Sequence, residues 1–82
     1  MPTVKLNGRL KQIARTKEAG VPGETVRELV DNLGSMYGER FVLYLKRGTI
    51  LVNDKNAKDL EGEGTRLGPD DVVSIYPPMG GG

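Results

Sequence analysis

The residues with the clearest chemical content stand at the end of the sequence, Pro77-Pro78-Met79-Gly80-Gly81-Gly82. Prolines cannot continue a hydrogen-bonded ladder, so Pro77 and Pro78 impose an extended exit on whatever precedes them. The glycines that follow carry no Cβ, fit a channel too narrow for side chains and adopt dihedrals closed to other residues. The one carboxylate on this run is the α-carboxyl of Gly82, and a carboxylate offered to a nucleotide in a partner's site is suited to activation as an acyl adenylate. At about 3.3 to 3.6 Å per residue the run reaches roughly 20 Å, beyond the ~12 Å radius of gyration expected for a body of this length. The expectation is a domain over residues 1–76 and a flexible, projecting tail over 77–82.

Other constellations carry less. Gly62-Glu63-Gly64-Thr65-Arg66-Leu67-Gly68 misses the GxGxxG spacing of a phosphate loop and lacks a strand-turn-helix around it. Asp70 and Asp71 are adjacent at a strand entry, where neighbours point to opposite faces, so they read as turn residues and not as paired acids. Arg9, Lys11, Arg15, Lys17, Lys46 and Arg47 form a solvated face, with three Tyr and one Phe available to stack on bases. Cysteine and histidine are both absent, which excludes disulfide frameworks, thiolate nucleophiles, Cys/His zinc sites and Ser-His-Asp triads. No metal site is expected.

With 82 residues there is room for a single domain, and 37% hydrophobic with 28% charged residues is a globular composition. Twelve Lys plus Arg against eleven Asp plus Glu give net charge +1, which argues against nucleic acid or anionic lipid as the main partner. Lys5, Asn7 and Arg9 interrupt the apolar residues of Met1 to Leu10, so that segment is neither a signal-peptide core nor a membrane span. Without disulfides to support a thin core, a cytoplasmic setting is expected.

The elements that must position the tail are legible to different depths. Thr3 to Asn7 alternates in the period of a strand, with Val4 and Leu6 pointing inward and Gly8 ending it. Leu10, Ile13 and Ala14 have helical spacing, and Thr16 to Val21 reads as a short strand before Pro22-Gly23. Val26, Leu29, Val30, Leu33, Met36 and Tyr37 predict a helix over 25–37, with Thr25 and Glu28 as a capping box and Gly38 past the last turn. Arg40 to Lys46 and Thr49 to Val52 read as two strands about the Arg47-Gly48 turn. Asn53 to Asn56 is turn chemistry, Glu61 to Gly64 is expected to be irregular, and Gly68-Pro69-Asp70-Asp71 turns into a last strand, Val72 to Tyr76. There Val73 and Ile75 share one face and Val72, Ser74 and Tyr76 the other. The fold class is α+β: a mixed sheet of four to five strands on one main helix.

At Ile75-Tyr76-Pro77-Pro78-Met79-Gly80-Gly81-Gly82 the chain resembles the β-grasp, ubiquitin-like sulfur carriers, in particular the small subunit of molybdopterin synthase and the small archaeal modifier proteins. The likeness extends through Val4 to Leu6, the helix Val26 to Tyr37, Ile50 to Asn53 and the Gly68 to Asp71 turn. It departs from the bacterial pattern at Asn7, often apolar there, and in the basic segment Arg9 to Lys17. The resemblance implies a carrier that is not itself an enzyme and holds no permanent cofactor. An adenylating enzyme of the ubiquitin-activating type, using ATP, would join AMP to Gly82, and sulfur would then replace AMP as a C-terminal thiocarboxylate. The large subunit of molybdopterin synthase, or another sulfur acceptor enzyme, would receive the tail. Tyr76, Pro77, Pro78, Met79, Gly80 and Gly81 would make the partner contact, together with the apolar sheet face. The alternatives it leaves are a modifier joined to lysines through the same glycine, or a sulfur carrier for thiamine or cysteine synthesis.

Overall fold

The computed structural model describes residues 1–78, and Met79, Gly80, Gly81 and Gly82 lie outside the described residues. Strand β1 (Thr3–Leu6) runs parallel to β5 (Val72–Tyr76), with Val4 opposite Val73 and Leu6 opposite Ile75. On its other side β5 pairs antiparallel with β3 (Thr49–Val52), so that Ile50 meets Ile75 and Val52 meets Val73. The short strands β2 (Glu18–Gly20) and β4 (Lys55–Asn56) close the edges, giving the order β2-β1-β5-β3-β4 with the last strand of the chain at the centre. Residues directly opposite one another share a face. Hence Val4, Leu6, Val52, Val73 and Ile75 make one buried layer.

Helix α2 (Val26–Tyr37) covers that layer with Val26, Leu29, Val30 and Leu33. Thr25 caps it, its Oγ1 accepting the backbone N–H of Glu28 at 3.2 Å. The reciprocal half of the capping box is displaced by one residue: Glu28 Oε1 accepts from the Glu24 N–H at 3.0 Å. Gly38, at φ 99, returns its N–H to the Gly34 carbonyl at 2.8 Å and stops the helix. The apolar stripe is shorter than its spacing predicts, because Met36 is 48% exposed and only Tyr37 continues the packing.

The expected strand at Arg40 to Lys46 is instead a helix, α3 (Glu39–Lys46). Phe41 and Leu45, one turn apart, are fully buried, and the Phe41 ring lies 5.0 Å from that of Tyr37. Two causes are visible. The positions beside β3 are already taken by β4 and β5, so no ladder is open to a further strand. The absence of a side chain at Gly34 admits Val42, whose Cγ2 would lie 2.9 Å from a Cβ there, and α3 thereby packs onto α2. The cost is Leu43, left 60% exposed.

Three smaller differences have equally local reasons. Between β1 and β2 the spacing of Leu10 becomes α1 (Gly8–Ala14), although Ile13 is exposed while Leu10 is buried. The turn at 53–56 is only two residues long: Asn53 (φ 49) and Asp54 (φ 71) both take left-handed dihedrals, as a tight hairpin requires, and Lys55–Asn56 pair with β3. Gly62–Gly64 forms a single 3-10 turn where irregular chain is expected, and Gly64 N–H bonds the Glu61 carbonyl at 3.0 Å.

The turn before β5 is held by Asp71. Its Oδ2 accepts the Gly68 N–H at 2.7 Å and its Oδ1 accepts from Asn53 Nδ2 at 3.0 Å. Asn53 Oδ1 in turn accepts the Val72 N–H at 3.0 Å. The Gly68 N–H first, and the Asn53 amide second, hold the Asp71 carboxyl below the ordinary carboxylate range.

Two outcomes are expected. Leu29→Ala and Ile75→Ala should each cost about 2 to 5 kcal/mol in denaturant unfolding, whereas Met36→Ala should change stability by no more than about 0.5 kcal/mol. The Asp71 linkage favours the native state fully above the unfolded carboxyl value of about 3.9 and is lost as pH falls through the lower native value. The gap in thermal midpoint between the wild type and Asp71→Asn should therefore be widest near neutral pH and shrink in acid; a gap constant with pH would contradict the linkage.

Candidate functional site

The candidate site is the place where β5 leaves the sheet. Val73 and Ile75 anchor the strand in the core, and Tyr76, on the opposite face, is 41% exposed. Tyr76 stands opposite Thr49 of β3. By register it shares the outer face with Val72, Ser74, Leu51, Thr3 and Lys5, all half-buried or exposed. The helices cover the inner face and leave this one to solvent. It is a mixed surface, with Val72, Leu51 and Tyr76 as its apolar part.

Beyond Tyr76 the chain passes between two glycines. A Cβ on Gly48, in the turn before β3, would overlap the Tyr76 carbonyl oxygen, so only glycine allows the strand end to lie there. Across the exit, a Cβ on Gly8 would lie 2.8 Å from Pro77 Cγ, and Gly8 has φ 56. Asn7 contributes the third contact, its Nδ2 donating to the Ile75 carbonyl at 3.1 Å. Pro77 and Pro78 are half-buried, so the base of the tail is held by its own body.

Of the site residues expected from sequence, the structure brings Tyr76, Pro77 and Pro78 to one end of the central strand; Met79, Gly80, Gly81 and Gly82 lie outside the described residues. The contribution of Asn7, Gly8 and Gly48 is not evident in the sequence, where Gly8 marks a strand end and Gly48 a turn. Their common purpose depends on two connections converging on β5. Arg9, after Gly8, and Arg47, before Gly48, are exposed. The discounted constellations stay apart from this site: Gly62–Gly64 is a 3-10 turn, and Asp71 is committed to Gly68 and Asn53. Among the described residues no group of three His, Cys, Asp or Glu could hold a metal ion, and no helix is long and apolar enough to cross a membrane.

Comparison with known proteins places this arrangement. The ThiS family pattern matches residues 4–82. Among solved structures, small archaeal modifier protein 1 from Methanosarcina acetivorans is 31% identical with a TM-score of 0.87, over 99% of this chain and 95% of that one. The BexX/CysO complex of Amycolatopsis orientalis matches at 22% identity and TM-score 0.84, over 100% of both chains. A putative molybdopterin converting factor, subunit 1, from Pyrococcus furiosus matches at 24% identity and TM-score 0.74, over 95% of this chain and 97% of that one. The last two likenesses are of fold. No curated protein matches the chain. With the family pattern running from β1 to the final glycine of the sequence, the chain belongs to the ThiS family of ubiquitin-like β-grasp sulfur carriers, whose members are carrier proteins and not catalysts.

Proposed function

We propose that the chain carries sulfur on the carboxyl group of Gly82 and delivers it as the small subunit of a molybdopterin synthase. In an adenylating enzyme of the ubiquitin-activating type, a Gly82 carboxylate oxygen attacks the α-phosphorus of ATP and pyrophosphate leaves. Hydrosulfide (HS⁻) from a donor then adds to the acyl carbon through its sulfur, AMP departs with the electron pair of the acyl C–O bond, and loss of the S–H proton leaves a thiocarboxylate. The chain supplies no acid, base or nucleophilic side chain to these steps, and its sequence holds neither Cys nor His. ATP belongs to the partner.

The observation that carries this reading is the exit of the central strand: β5 ends at exposed Tyr76 and passes between Gly8 and Gly48 into the diproline that precedes the glycines. Such a base presents a slender end to a partner while the sheet face beside it, with Tyr76, Val72 and Leu51, offers area for docking. The molybdopterin assignment is supported by the run Tyr76-Pro77-Pro78-Met79-Gly80-Gly81-Gly82, which resembles the end of the synthase small subunit. A second reading, a modifier joined to lysines through Gly82, is favoured by the 31% identity to the Methanosarcina modifier protein. A carrier for cysteine or thiamine synthesis would use the same first two steps.

The purified chain with its adenylating enzyme should support ATP–pyrophosphate exchange, and deleting Gly81 and Gly82 should abolish that exchange without lowering the thermal midpoint, since no packed side chain is lost. Exchange undiminished in the truncated protein would overturn the reading. Sulfur transferred to a pterin precursor, or an isopeptide bond from Gly82 to a lysine, decides between the two assignments.

A further inference from the structure

We propose that Asn7 is a positioning residue, whose side-chain amide sets the direction in which the carrier tail leaves the body; the inference rests on the carrier reading. Asn7 occupies the N-cap of α1, with extended dihedrals (φ −127, ψ 155) and the first helical residue, Gly8, directly after it. Asparagine is among the best residues for that position, because its side-chain oxygen accepts an otherwise unpaired N–H of the first turn. Here it makes no such bond. Its amide is turned away from its own helix and donates instead to the carbonyl of Ile75, 68 residues further along the chain. The sequence gives up a local cap to hold the strand end, and local rules are broken at functional or strained sites.

The acceptor is well placed for this. Ile75 is the last residue of β5 that β1 pairs with, through Leu6. Two residues on, Pro77 has no N–H with which to extend the ladder. Between them, Tyr76 and Pro77 are confined on either side by Gly48 and Gly8. Any rotation of the strand end about these contacts is passed on by the diproline, which keeps the chain extended at ~3.1 Å per residue. A tilt of ~30° at Ile75 displaces a point ~10 Å further on by ~5 Å. A partner must then re-aim the lead before it can engage, while the glycines beyond, with no Cβ, still let the carboxylate reach the same place once bound, so the loss falls on KM and not on kcat.

Asn7→Asp separates positioning from stability. Aspartate is an equally good N-cap and its charge suits a helix N-terminus, but facing Ile75 it sets one acceptor against another and has no proton to donate. Asn7→Asp should therefore keep or raise the thermal midpoint, while the KM of the carrier in ATP–pyrophosphate exchange with its adenylating enzyme rises about tenfold and kcat stays within about twofold. Asn7→Ala should raise KM similarly, and Asn7→Gln, which keeps the donor, should recover part of the loss. Residual dipolar couplings of the Tyr76 amide should change in Asn7→Asp and Asn7→Ala and return towards wild type in Asn7→Gln. Wild-type KM and couplings in Asn7→Asp, or losses of activity that merely track the thermal midpoint, would overturn the proposal. Absence of exchange by the wild type would instead count against the carrier reading, and the dipolar couplings would still decide the role of Asn7.

Discussion

The structure depends on β5 being gripped on both edges up to Ile75, two residues before Pro77 ends the ladder. Parallel pairing with β1 and antiparallel pairing with β3 fix the backbone of Val72–Tyr76, and Val73 and Ile75 are driven into the core beneath. The last strand of the chain lies at the centre of the sheet, so its end is flanked by the connections that leave β1 and enter β3. The prolines then prevent the ladder from extending. A held base and an extended lead are thus produced by the same few residues, together with the Asn7 amide just beyond β1.

This explains how a chain with so little chemical equipment can take part in chemistry. On the reading proposed above, the reacting group is a main-chain carboxylate, and the activating nucleotide and the acid-base groups belong to a partner. What the folded body contributes is geometry and surface: a sheet face left to solvent, an exposed Tyr76 beside the exit, and two connections that end in glycine where the exit needs room. Gly48 illustrates the economy, because the turn that starts β3 is also one wall of the passage. A side chain there would have to displace the Tyr76 carbonyl, and with it the end of the central strand.

Much of this could be read from the sequence because the relevant signals are local. Val4 and Leu6 alternate within four residues, α2 has its cap, its stripe and its terminating Gly38 in consecutive positions, and the Asp71 turn is contained in a tetrapeptide. The same holds for the strand that leads to Tyr76. Arg40 to Lys46 misleads because five consecutive apolar residues fit both periods, and the decision is taken by Gly34 of the neighbouring helix and by a sheet with no free place beside β3. Met36 continues the stripe on paper, yet the core below it has already ended. Asn7, Gly8 and Gly48 were unreadable as a group for a related reason: they lie in two separate connections and acquire a joint role only when β1 and β3 flank β5. Sequence therefore identifies the strand that ends at Tyr76, and the three-dimensional arrangement identifies what holds that end.

The central claim is that Gly82 bears the sulfur. Fragment-level mass spectrometry of the protein isolated from its native cells tests it most directly, because replacement of one oxygen by sulfur can be assigned to a particular fragment. The account predicts that the added mass resides on the C-terminal fragment containing Gly82 and is lost on incubation with the acceptor enzyme. A protein that carries sulfur elsewhere, or whose terminal carboxylate is unmodified while its adenylating enzyme and sulfur donor are active, would contradict it.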